Sequence, residues 1–158
     1  MFMFEPLDKL GYRVIEIDMP GFGESQTHRP FSCSSSDMIK NGPFDIIEQI
    51  LNNLNIRNFN VFEFSWGGDV AISLALKLKA SVLKLALFMP SYTEIKIELD
   101  NISQKTLILW FKEYQLHSFK LGRHLSKRIK LLHYFELKCE MFEASKANNN
   151  YEQFEEIQ

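Results

Sequence analysis

Apolar and polar positions follow two rhythms along this chain, one helical and one extended. Residues 2–10 set Phe4, Leu7 and Leu10 at helical spacing, with Gly11 placed to stop the turn. Residues 12–18, Tyr12-Arg13-Val14-Ile15-Glu16-Ile17-Asp18, predict a strand from their β-branched content, closed by Pro20 and Gly21. Residues 19–43 are rich in Gly, Pro and Ser and predict a loop. A helix is predicted over 44–54, with Ile47, Ile50, Leu51 and Leu54 on one face. A short apolar strand follows at 59–64, then a helix at 66–79 carrying Val70, Leu74 and Leu78 on one face. Strands are predicted at 82–89, ended by Pro90, and at 106–110. An amphipathic helix at 116–130, a strand at 131–137 and a helical turn or two at 151–157 complete the pattern.

Strands separated by helices of ten or more residues require crossover connections, which are right-handed and build a parallel sheet. Most of the strands are nearly continuous apolar runs, as expected where helices cover both faces. The predicted class is therefore α/β, a mostly parallel sheet with helices on both faces. No internal repeat or linker interrupts the pattern, and Asn148-Asn149-Asn150 reads as a loop.

Composition narrows the function classes. The chain has 158 residues, of which 46% are hydrophobic and 24% charged, enough for one sizeable core and too apolar for general disorder. Its 18 basic and 20 acidic residues leave a net charge of -2, which supplies no global attraction to nucleic acid or anionic membrane. Cys33 and Cys139 are too few for a disulfide framework or a four-cysteine zinc site. No apolar run is long enough to cross a bilayer, and Met1-Phe2-Met3-Phe4-Glu5 lacks the basic start of a signal peptide. The expectation is a cytoplasmic protein with no cofactor, no metal, no nucleic-acid partner and no membrane association.

The chemistry concentrates in Val61-Phe62-Glu63-Phe64-Ser65-Trp66-Gly67-Gly68-Asp69. A strand runs into Ser65 and a helix starts directly after it. A serine on so tight a strand-to-helix turn has its hydroxyl exposed above the sheet, and the turn needs small neighbours, here Gly67 and Gly68. The helix N-terminus favours developing negative charge, and the Trp66 N–H is placed to donate to an oxyanion. A plain helix N-cap is the alternative reading of Ser65.

These residues resemble the α/β-hydrolase superfamily. Its nucleophile pattern is G-x-S-x-G, and the chain has Glu63-x-Ser65-x-Gly67. Upstream, the run from Gly11 to Asp18 followed by Met19-Pro20-Gly21-Phe22-Gly23-Glu24-Ser25 is similar to the family's fourth strand and its D-x-P-G-x-G-x-S loop. Lys105-Thr106-Leu107-Ile108-Leu109-Trp110 resembles the seventh strand, which leads to the catalytic acid. The resemblance implies a partial α/β-hydrolase fold of the small, lidless type over residues 1–158, lacking the family's first three strands. It implies Ser65 as nucleophile, Trp66 as oxyanion donor, and a small ester, thioester or amide as substrate.

The chain also departs from that pattern. In the turn after the seventh strand, Phe111-Lys112-Glu113-Tyr114, tyrosine takes the place of the acid, with Glu113 one residue away. The histidine base should follow the last strand, yet the four histidines are His28, His117, His124 and His133, all before Leu137. Cys139 to Ser145, where that base belongs, contains no histidine. Glu63 stands where a small residue is expected; it could point away, strain the turn or serve as an improvised base. The family's H-G-x-x loop, which gives the second oxyanion N–H, is not present, and losing one such donor costs about 2.7–4 kcal/mol of transition-state stabilisation. Without the family's third strand, residues 12–18 lose a neighbour, unless that segment closes directly onto 59–64. Two functional readings stay open: a serine hydrolase by descent, and an inactive relative or truncated fragment acting as a binding module. Lys120, Arg123, Lys127 and Lys130 form a basic helix face that reads as solvated rather than as a phosphate site.

Overall fold

A computed structural model describes residues 4–25, 44–91, 99–111 and 119–137 of the chain. Helix α1 spans Phe4–Lys9 and α2 spans Phe44–Asn53. Strand β1, Phe59–Phe64, leads into helix α3, Gly67–Lys77, and strand β2, Val82–Phe88. After a single 3-10 turn at Leu99–Asn101 come strand β3, Lys105–Phe111, helix α4, Phe119–Arg128, and strand β4, Leu132–Leu137. The helix predicted at 151–157 lies outside the described residues.

The four strands form one parallel sheet in the order β1-β2-β3-β4. Each crossover moves one place in the same direction, so right-handed connections put α3 and α4 on the same face. The core agrees. Ala71, Ile72 and Ala75 of α3 and Leu125 of α4, with Ile129 just beyond it, share one buried cluster with Leu85, Leu87, Ile108 and Trp110 of the sheet. Gly122 makes the α4 approach possible, since a Cβ there would lie 2.7 Å from the Trp110 ring and 2.8 Å from the Tyr134 hydroxyl. The sheet's other face presents Phe62, Phe64, Phe88, Leu109, Phe111 and Phe135, with the Phe62 and Phe88 rings 5.3 Å apart.

A second cluster joins α2 to the flank of α3: Phe44, Ile47 and Leu51 meet Val70 and Leu74. The predicted α2 stripe is thus largely right, except that Leu54 faces solvent and Phe44 takes its place in the core. Helix α3 buries two sides, which the single stripe Val70, Leu74, Leu78 did not express. Gln104, which carried no expectation, is buried and donates to the carbonyls of Ala75 and Lys79 at 3.1 and 3.2 Å, closing the C-terminal turn of α3. Of the basic α4 face, Arg123 pairs with Glu136, and the neighbouring Arg128 pairs with Asp100.

Residues 12–18 correct the sequence reading. They were predicted as a strand, but they join no ladder with any described strand. The reason is non-local: a strand is held by hydrogen bonds and cross-strand pairs from a neighbour, and none is at hand among the described residues. The segment does not close onto β1, which among the described residues is at the sheet edge with β2 on its inner side. Ile17 and Met19 still pack against the α2–α3 cluster, whereas Tyr12 and Ile15 stay exposed. Upstream, Gly11 stops α1 as predicted: its φ is +83°, Tyr12 N–H donates to the Leu7 carbonyl and Gly11 N–H to the Asp8 carbonyl.

Candidate active site

In an open parallel sheet, ligands gather beyond the carboxyl ends of the strands. At that end of β1 stands Ser65, with φ +51°. For a residue other than glycine this left-handed conformation costs about 1–2 kcal/mol, so the surroundings must impose it. They do so through three backbone bonds. Ser65 N–H donates to the Phe88 carbonyl at 2.9 Å, while the Ser65 carbonyl accepts from Gly68 at 3.0 Å and from Ser91 at 2.7 Å. Met89, at the end of β2, also has a positive φ of +43°, and it swings Pro90 and Ser91 against the elbow. Sequence offered no signal for that second strained residue.

The glycines act as the local pattern suggests. A Cβ at Gly68 would meet Pro90 and lie 3.0 Å from the Ser91 carbonyl oxygen. A Cβ at Gly67 would meet the carboxyl of Glu63. Trp66 takes helical angles, φ −58° and ψ −31°, and occupies the N-cap position of α3, with no cap hydrogen bond from its own side chain. Ser65 directly precedes that position, in the left-handed turn between β1 and α3. The Trp66 N–H belongs to the first turn, where backbone donors lack intrahelical partners.

Glu63 does not point away. It is half-buried beneath the elbow, directed at Gly67 on the helix-covered face of the sheet. Burial pushes its carboxyl up to about 7, against a smaller opposing effect of a hydrogen bond from the Phe64 backbone.

The loop at 19–25 docks on the same elbow. Glu24 N–H donates to the Asp18 carboxylate at 3.0 Å, Gly23 leaves room for that carboxylate, and the Phe22 ring lies 5.9 Å from Trp66. The two described histidines are not brought to Ser65. His124 is exposed on α4. His133 is exposed on β4, opposite Leu107 and three strands away from β1, roughly 14 Å at ordinary strand spacing. His28, His117, Glu113, Tyr114, Cys33 and the segment from Cys139 to Ser145 lie outside the described residues. Among the described residues no three His, Cys, Asp or Glu side chains cluster as metal ligands, and no helix is long and apolar enough to cross a membrane.

Comparison with known proteins gives a consistent picture. The family model of the alpha/beta hydrolase fold matches residues 1–155. An Arabidopsis thaliana protein named "Probable lysophospholipase BODYGUARD 4" is 31% identical over 109 residues, covering 66% of this chain and 25% of that protein. A 2-hydroxy-6-oxononadienedioate/2-hydroxy-6-oxononatrienedioate hydrolase of Cupriavidus pinatubonensis is 35% identical over 83 residues, covering 52% of this chain and 27% of that protein. The chain thus spans about a quarter of the length of these curated relatives. Among solved structures, a CIB-like hydrolase from Thermoplasma acidophilum superposes with a TM-score of 0.77 at 22% identity, over 87% of this chain and 66% of that one. A meta-cleavage product hydrolase from Pseudomonas fluorescens also reaches 0.77 at 16% identity, over 99% and 84%. At these identities the structural likeness speaks for the fold.

Proposed function

The chain belongs to the alpha/beta hydrolase fold family, and from that premise we propose a serine-hydrolase site in which Ser65 is the nucleophile. The observation that carries this reading is the left-handed Ser65 between β1 and α3, tied to the end of β2 on both its N–H and its carbonyl. Strain of this kind, imposed at a strand terminus, is what holds a hydroxyl out above a sheet. The substrate class is a small ester, thioester or amide. Ser65 Oγ forms a bond to the carbonyl carbon as its proton passes to a base, and the Trp66 N–H donates to the oxygen that gains charge. The alcohol, thiol or amine leaves with a proton, and water then cleaves the acyl–Oγ bond.

One observation favours a second reading, a relative that keeps the elbow for binding and does not turn over: residues 138–158 contain no histidine. Ser65 without an oriented base is a weak nucleophile. A fluorophosphonate probe separates the two. The hydrolase reading expects covalent labelling of the folded chain that disappears in Ser65→Ala, together with p-nitrophenyl acetate turnover. A folded chain that neither labels nor turns over the ester overturns that reading and leaves the binding module.

A further inference from the structure

Phe22 is 46% exposed although nothing about its backbone is loose. Its N–H donates to the Met19 carbonyl at 2.8 Å, its own carbonyl accepts from Ser25 at 2.9 Å, and Gly21 N–H returns to the Ser25 carbonyl at 2.7 Å. Gly21 and Gly23, with φ +88° and +50°, make the two reversals that flank it. The Asp18 carboxylate clamps the far side of the loop through Glu24 N–H. A phenyl ring is thus held at a loop tip, one side tilted 42° on Trp66 and the rest in water. Trp66 in turn is seated in the α2–α3 cluster and immediately follows Ser65. Aromatic pairs gain by recruiting further apolar surface at their free edges and faces. Nearby charge sorts what can come: the Asp18 carboxylate and exposed Glu24 sit on the same loop and repel an anionic group.

The geometry points to Phe22 and Trp66 as a binding platform for an uncharged aryl or short alkyl group of the substrate, with Phe22 as its specificity-determining residue. This rests on the Ser65 reading for its catalytic meaning, but the binding itself does not require chemistry at Ser65.

The test is binding to the Ser65→Ala chain, which removes hydrolysis. The chain has two tryptophans, and Trp110 is fully buried, so a ligand-induced change in tryptophan fluorescence reports Trp66. Phenyl acetate is expected to give a saturable change, and benzoate, an anion of similar size, is not. Phe22→Ala is expected to weaken phenyl acetate binding about tenfold, and Phe22→Leu to recover part of it. Because Phe22 is half exposed, an unchanged circular dichroism spectrum in both variants is expected as well. Equal binding by Phe22→Ala, equal binding of benzoate, or no saturable binding in the parent overturns the platform. Absence of fluorophosphonate labelling in the unmutated, folded chain overturns the Ser65 reading and leaves the platform standing.

Discussion

The carboxyl group of Glu63 occupies the space in which a side chain at Gly67 would lie. The two positions are four apart across the turn from β1 into α3, one on the strand and one in the first helical turn. The glycine therefore makes room for a half-buried acid. Gly67→Ala forces that carboxyl to move within a packed site and is expected to destabilise the fold by about 1–3 kcal/mol. Added to Glu63→Ala, the same substitution should cost at least about 1 kcal/mol less, a coupling that a double-mutant cycle of denaturant unfolding measures. Additive effects would show that the two groups do not compete for one space.

The Glu63 carboxyl has its folded pKa raised from the ordinary 4.5 to about 7 by burial. An acid shifted upward binds more protons folded than unfolded, so its contribution is full below pH 4.5 and is lost as pH rises towards 7. The loss amounts to roughly 3 kcal/mol at most. Glu63→Gln cannot ionise. Relative to the parent, its stability should rise between pH 5 and pH 7.5, read as the difference between two denaturation series. Parallel pH profiles would remove Glu63 as a titrating group.

Ser65 holds φ +51° at a strain of about 1–2 kcal/mol. Ser65→Gly relieves that strain and is expected to stabilise the chain by about 0.5–1 kcal/mol, after the larger entropy of glycine in the unfolded chain is set against it. Ser65→Val, β-branched at a left-handed position, should destabilise it by about 2 kcal/mol or more. Thermal unfolding of the three proteins gives the order, and a glycine variant less stable than the parent would contradict the strained elbow.

Gln104 is buried and its amide closes the α3 terminus through the Ala75 and Lys79 carbonyls. Gln104→Leu keeps most of the volume but leaves these carbonyls without that donor. A loss of about 1–3 kcal/mol in urea unfolding is expected, with an unchanged m-value.

Residues 12–18 lie outside the ladder, so hydrogen exchange should separate them from the sheet. Their amides are expected to exchange orders of magnitude faster than those of Leu85 to Leu87 and Leu107 to Leu109, which are paired on both sides. Equal protection, read by mass spectrometry of peptides from the two regions, would mean that the segment is paired in solution.

Much of the fold was legible from the chain because its causes are local. β1 to β4 are apolar runs punctuated by Gly, Pro or polar turns, and their observed limits fall within a residue or two of the predicted ones. The step from strand to helix at Ser65, with Gly67 and Gly68 after it, followed from the same local chemistry, as did the stop at Gly11. Tertiary structure decided what depends on residues distant in sequence. Tyr12 to Asp18 have strand-forming side chains, yet pairing needs a neighbour that propensity cannot supply. The fate of Glu63 was open because the socket at Gly67 and the apolar surroundings exist once β1 and α3 have packed. Met89 takes a left-handed turn because its N–H bonds to Leu109 on the next strand while Ser91 bonds back to Ser65. Local sequence set the elements and marked the candidate nucleophile. Packing across the sheet set the strain, the burial and the aromatic surface around it.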